Sequence, residues 1–148
     1  MARNVFRATA KSLGQGLAVE TEARGFKVQL DEPEALGGTD TGMNPVELVL
    51  CALGACQTIV AKAFAPKFRI DLEEFWVELE GDLDPDGFMG ISDVPKGFTE
   101  IRYTMHFRTN ASQEQVEKFA AFIEKTCPVG DTLQRPIQLV TAGVVVEH

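Results

Sequence analysis

Over its opening segment the chain alternates apolar and polar positions in three short stretches, residues 5–11, 17–21 and 26–30. Such period-two alternation marks strands with one buried face. Two turn-forming tripeptides, Gly14-Gln15-Gly16 and Ala23-Arg24-Gly25, separate the stretches and predict a tight meander. The pattern then breaks at a glycine-rich loop, Gly37-Gly38-Thr39-Asp40-Thr41-Gly42. Beyond it Asn44 can cap, Pro45 suits a first helical position, and Glu47 completes a capping box. A helix is predicted from there to about Phe64, where Pro66 stops it. Leu48, Val49, Leu50, Cys51, Ala52, Leu53, Ala55, Ile59 and Val60 make it apolar on nearly every side. That composition predicts a central helix buried all round, with Gly54 letting another backbone come close.

Alternation returns twice in the second half. Phe75, Val77 and Leu79 oppose Trp76, Glu78 and Glu80 within residues 70–81, and Ile101, Tyr103, Met105 and Phe107 share a face within residues 99–109. The intervening residues 82–98, rich in Gly, Pro and Asp, read as a long hairpin arm or a flap. A second helix starts near Ser112, with Gln115 in capping register and Val116, Phe119, Ala120 and Ile123 at helical spacing. It ends at Cys127-Pro128. A helical turn over residues 129–133 and a last strand carrying Ile137, Leu139, Val144 and Val146 complete the chain. The order βββ-α-ββ-α-β predicts an α+β fold rather than a wound parallel sheet, in a single domain over residues 1–148.

The formal net charge is −8, and Lys and Arg are scattered. Nucleic acid and anionic membrane surfaces both need a basic face, so neither is expected as a partner. Apolar residues make up 45% and charged residues 24%, the balance of a globular soluble chain. No apolar run of signal-peptide length follows Met1-Ala2-Arg3-Asn4. The longest apolar stretch, residues 48–61, contains Gln57 and is shorter than the ~20 residues that span a bilayer. A cytoplasmic location is expected. The two histidines, His106 and His148, stand at no zinc-ligand spacing from a cysteine, so no metal and no other cofactor is expected.

Three cysteines remain as candidate chemistry. In a chain of cytoplasmic type, thiols point to redox work before structural staples. Cys51, mid-helix between Leu50 and Leu53, reads as a small buried hydrophobe. Cys51 and Cys56 stand ~140° apart round one helix axis, so an intrachain bond would have to involve Cys127. Pro128 follows Cys127. That thiol either caps a further helical turn, where backbone N–H groups and the helix dipole favour a thiolate, or merely marks a helix stop.

The segments Asp31-Glu32-Pro33, Gly37-Gly38-Thr39-Asp40-Thr41-Gly42, Asn44-Pro45-Val46-Glu47-Leu48, Ala52-Leu53-Gly54-Ala55-Cys56 and Cys127-Pro128-Val129 together resemble the OsmC/Ohr family. These are the osmotically inducible and organic-hydroperoxide-resistance proteins, and the likeness covers nearly the whole chain. The resemblance implies an OsmC-like fold, antiparallel sheets wrapped around a central helix, in an intertwined homodimer. It also implies a two-cysteine peroxidase. Cys56 would attack an organic hydroperoxide and become a sulfenic acid, Cys127 would resolve it as a disulfide, and an external dithiol would reduce that bond. In the family a glutamate directly after the Asn-Pro proline and an early-loop arginine activate the attacking cysteine. Here Val46 follows Pro45 and Glu47 comes one place later, while Gln15 falls near the arginine's position and Arg24 lies in the next turn. Glu47 and Arg24 are thus the candidate activating residues. These departures resemble the OsmC-like branch, for which the alternative reading is a redox sensor or a binding protein for small hydrophobic molecules.

Overall fold

The computed structural model describes residues 2–148. The protein is α+β, and its packing divides into two compact units. One comprises the chain up to Cys51 together with Asp82–Thr99; the other comprises Ala52–Gly81 and Glu100–His148.

In the first unit, β1 (Thr9–Ser12), β2 (Val19–Ala23) and β3 (Phe26–Leu30) form the expected antiparallel meander with β2 in the centre. Thr9 pairs with Glu22, and Val19 with Leu30. The register explains why β1 begins later than the alternation suggests. Continuing it backwards would pair residue 7 with Arg24, which already belongs to the turn and has φ 54°. Val5 and Phe6 accordingly stand exposed.

Asp31, directly after β3, is only 2% exposed, and the glycine-rich loop is wrapped around its carboxylate. That group accepts from the Thr39 and Thr41 hydroxyls at 2.6 and 2.7 Å, from the Glu32 amide at 2.7 Å, and from the Thr39 and Thr41 amides at 3.2 Å. These donors, the two hydroxyls first, hold its carboxyl well below the usual carboxylate range. The loop can close this tightly only through glycine. A Cβ on Gly38 would fall 2.0 Å from the Glu32 carbonyl oxygen, and one on Gly42 would fall 2.4 Å from that of Gln29.

The loop delivers the chain to α1 (Pro45–Phe64). Both arms of its capping box form: the Glu47 carboxylate accepts from the Asn44 amide at 2.8 Å, and the Asn44 side chain accepts from the Glu47 amide at 2.9 Å. Within residues 82–99, α2 (Pro85–Met89) is capped by Asp84 and leaves Phe88 and Met89 exposed.

The second unit holds the core. β4 (Glu74–Leu83) and β5 (Phe98–Arg108) pair, and the Glu74–Arg108 and Glu80–Arg102 ion pairs tie them across the ladder. From α3 (Gln113–Thr126), Phe119 and Ile123 are fully buried against Val60, Ala61, Ala65, Ile70 and Phe75. Burial of two such side chains stabilises the unit by roughly 2–3 kcal/mol each. A capping box at Ser112 and Gln115 starts α3, as its spacing predicts, and α4 (Pro128–Gln134) follows directly.

Three expectations are corrected. First, α1 is not buried all round within this chain. Leu53, Gly54, Gln57, Val60 and Ala61 form one buried stripe, while Ile59 is 68% exposed, because one chain supplies structure for only one side of the helix. Second, the close approach at Gly54 comes from a side chain rather than a backbone: a Cβ there would lie 2.8 Å from Leu79 Cδ1. At 20 residues α1 is also longer than its apolar run, and by length and composition alone it could cross a membrane. Third, residues 136–148 form no strand, and Ile137, Leu139, Val140, Val144, Val145 and Val146 stand exposed. Alternating residues become a strand only against a neighbouring edge, and among the described residues none pairs with them.

Candidate active site

Both candidate thiols lie in the second unit, Cys56 on α1 and Cys127 between α3 and α4. Cys56 sits half-buried on α1, one position before the buried Gln57. Pro128 cannot extend α3, so the chain turns at Cys127, which serves both helices there. Its amide donates to the Ile123 carbonyl at 3.0 Å and closes α3. Its Sγ accepts from the Gly130 amide at 3.4 Å and opens α4. Cys127 is 1% exposed, and the Cys56 thiol lies near enough to act on its ionisation. All three cysteines are free thiols.

The helix start does not win at Cys127. Burial pushes its thiol up from the ordinary value, and contact with the Cys56 sulfur pushes it further the same way. The Gly130 and Val129 amides act in the opposite direction and are outweighed. Of the two readings left open at Cys127, the structure shows a cap, but as a buried neutral thiol, because a short helix supplies few donors and desolvation penalises the charge.

A polar chain lies beside the pair. Tyr103 on β5 donates its hydroxyl to Glu124 Oε2 at 2.9 Å, and the Gln57 side chain is near enough to influence the phenol. Burial, then the Glu124 carboxylate, raise the phenol to about 12, and Cys127 is close enough to add to the effect. Gln57 is 1% exposed, and its Oε1 has no hydrogen-bond partner among the described residues. Tyr103 and Glu124 also line a groove of about 580 Å³ with Met105, Phe107, Val116 and Ala120. No spacing in the sequence singles out Gln57, Tyr103 or Glu124. The available signals were that Gln57 interrupts an apolar run, and that the single tyrosine lies on the inward face of a strand.

The other candidates are engaged locally in the first unit. Glu47 commits its carboxylate to the cap of α1. Arg24 sits in the β2–β3 turn with its guanidinium over the Phe26 ring, 5.3 Å from the centroid. Cys51, expected to be buried, is exposed, with Sγ 3.8 Å from Met43 Sδ. It lies on a side of α1 that this chain leaves uncovered. Among the described residues no group of three or more His, Cys, Asp or Glu is placed to hold a metal ion.

Residues 38–142, which include both Cys56 and Cys127, match the family model of OsmC-like proteins. This chain belongs to the OsmC-like family. A hydroperoxide reductase of Mycoplasma pneumoniae (strain ATCC 29342 / M129 / Subtype 1) is 25% identical to it over 114 residues, covering 74% of this chain and 76% of that protein. Among solved structures, an OsmC like protein from Mycoplasma pneumoniae superposes with a TM-score of 0.78 at 24% identity, covering 90% of this chain and 89% of that one. An organic hydroperoxide resistance protein OsmC from Legionella pneumophila gives a TM-score of 0.64 at 25% identity, covering 90% and 92%. The OsmC-like chain therefore has the fold its motifs imply.

Proposed function

We propose that this protein reduces organic hydroperoxides with Cys56 as the attacking thiolate and Cys127 as the resolving thiol. The observation that carries the reading is the proximity of the half-buried Cys56 thiol to Cys127, near enough to raise that buried thiol further. The Cys56 thiolate attacks the terminal peroxide oxygen; an S–O bond forms, the O–O bond breaks, and the alkoxide leaves as alcohol after taking a proton from solvent. Cys127 then attacks the sulfenic sulfur, and its proton leaves with the hydroxyl as water. An external dithiol returns the disulfide to two thiols, which suits a reducing compartment such as the cytoplasm. The apolar Leu53 side chain, which approaches Gly130 beside Cys127, favours organic over hydrogen peroxide. The relative named hydroperoxide reductase supports the same reaction class.

The working form is proposed to be a homodimer. Ile59 on α1 and the apolar C-terminal tail leave more exposed apolar surface than a lone chain retains in water. Light scattering at micromolar concentration would read the mass directly; a monomer would reject this part.

A second reading is favoured by one observation. No cation is among the groups that act on Cys127, and Glu47 and Arg24 are engaged elsewhere. Without such activation the thiols would act as a slow redox sensor rather than a turnover catalyst. Consumption of cumene hydroperoxide with a dithiol donor separates the two. Multiple turnovers, lost in Cys56→Ser, support the peroxidase. Stoichiometric oxidation without turnover supports the sensor.

A further inference from the structure

We infer that the buried side-chain oxygen of Gln57 receives the hydroxyl of the sulfenic acid formed on Cys56, holds it protonated and shields it from over-oxidation until Cys127 attacks. The inference deepens the two-cysteine reading above and rests on it. Gln57 is 1% exposed, and its Oε1 has no hydrogen-bond partner among the described residues. A buried acceptor left empty costs stability, so such an orphan is expected where a reactant supplies the missing donor. Its place on α1 says which reactant. Cys56 and Gln57 stand three and four residues after Leu53, so they sit side by side one turn beyond it. Leu53 in turn reaches the thiol end of α3: a Cβ on Gly130 would lie 3.7 Å from Leu53 Cδ1 and 3.7 Å from Cys127 Sγ. One turn beyond Gln57 on the same buried stripe, Val60 and Ala61 share a core with Phe119 and Ile123. Ile123 is one turn before Cys127, so the stripe and the α3–α4 junction run in opposite senses and Gln57 falls level with Cys127.

An amide oxygen accepts from S–O–H and has no proton to offer S–O⁻, so it favours the neutral sulfenic acid over the sulfenate. The two forms meet different fates. Cys127 attacks the sulfur of the acid: the S–S bond forms, the S–O bond breaks, and the hydroxyl leaves as water with the Cys127 proton. The sulfenate, as the anion, is the stronger nucleophile towards peroxide, just as thiolate exceeds thiol. It takes the terminal oxygen of a second hydroperoxide and becomes a sulfinate, while the O–O bond breaks and the organic part leaves as alcohol. Gln57 thus lowers the share of Cys56 held in the form that a second hydroperoxide destroys.

The test uses the full-length chain carrying Cys127→Ser and an excess of cumene hydroperoxide, with the oxidation state of Cys56 read by fragment mass. Measurements run across about pH 5 to 9, which brackets the thiol range. The rate of the second oxidation, from sulfenic to sulfinic acid, is taken relative to the first and should rise with pH. Adding Gln57→Leu should raise that ratio about 3- to 10-fold at the lower pH values and move the midpoint of its rise down by about half to one pH unit, the scale of one lost hydrogen bond. Gln57→Glu, which keeps an acceptor oxygen, should hold the midpoint at or above its parent's. Looser packing alone raises the ratio at every pH and leaves the midpoint in place. An unmoved midpoint in Gln57→Leu, or a midpoint in Gln57→Glu that falls with it, overturns the inference. If Cys56 never reaches the sulfenic state in the Cys127→Ser protein, the peroxidase reading falls and this inference with it. A sulfenic acid that over-oxidises alike in Gln57→Leu and its parent rejects this inference alone.

Discussion

Each unit of the molecule buries a polar centre, and the two are arranged in opposite ways. Around Asp31 donors are plentiful: five hydrogen bonds converge on one carboxylate that is 2% exposed, four of them on Oδ2. Beside the thiols the capacity is unfilled. Gln57 leaves Oε1 unpaired at 1% exposure, and Cys127 has one long contact from Gly130 and the Cys56 sulfur. A saturated centre rigidifies its loop and has nothing left to offer a reactant. An unsaturated one costs stability and is therefore a place to look for chemistry.

The largest expected effect breaks the comparison on the reactive side. Cys56→Ser should lower hydroperoxide consumption by at least about a thousandfold. Cys127→Ser should permit one equivalent of oxidation and then stop, leaving a Cys56 sulfenic acid that a dimedone adduct would reveal. On the structural side, Asp31→Ala strands several donors at once and should lower Tm by on the order of 10 °C. Because the folded-state pKa of Asp31 lies below its unfolded value, its stabilisation is present above about pH 4 and is lost as pH falls further. Thermal melts from pH 6 down to pH 2 should therefore fall less steeply in Asp31→Asn, which starts lower, than in the wild type.

Smaller effects sharpen the contrast. The Cys127 pKa is shifted up, so its contribution holds below about pH 8.5 and fades as pH rises through the folded-state value. Native Cys127 should accordingly react with iodoacetamide at pH 8–9 more than about tenfold slower than the exposed Cys51, and equally fast once unfolded. Gln57→Leu should change stability by no more than about 1 kcal/mol, since an apolar replacement removes a buried unpaired oxygen. A loss comparable to that of Asp31→Ala would mean the two centres are not different in kind.

The elements with local signals were readable from the sequence. The capping boxes at Asn44 and Ser112, the turns at Gly14 and Gly25, and Pro66 and Pro128 each determine a boundary through nearby atoms, and the structure keeps them. What failed depends on surface beyond the local segment. The last strand needs an edge, and full burial of α1 needs a second covering surface; neither is supplied by residues nearby in sequence. At the site, cysteine frames pointed to Cys56 and Cys127, and in the fold Cys56 lies near enough to act on the Cys127 thiol. The sign of the shift at Cys127 was not readable, because desolvation is a property of the packed core. Nor was the Tyr103–Glu124 hydrogen bond, whose members come from separate elements.

The most direct measurement treats the reduced protein with one equivalent of cumene hydroperoxide, blocks free thiols, digests without reductant and analyses the peptides by mass. The account predicts a product joining the Cys56 and Cys127 peptides, with Cys51 fully blocked. Recovery of Cys127 as a blocked thiol while Cys56 is oxidised, or a crosslink that runs through Cys51 instead, would contradict it.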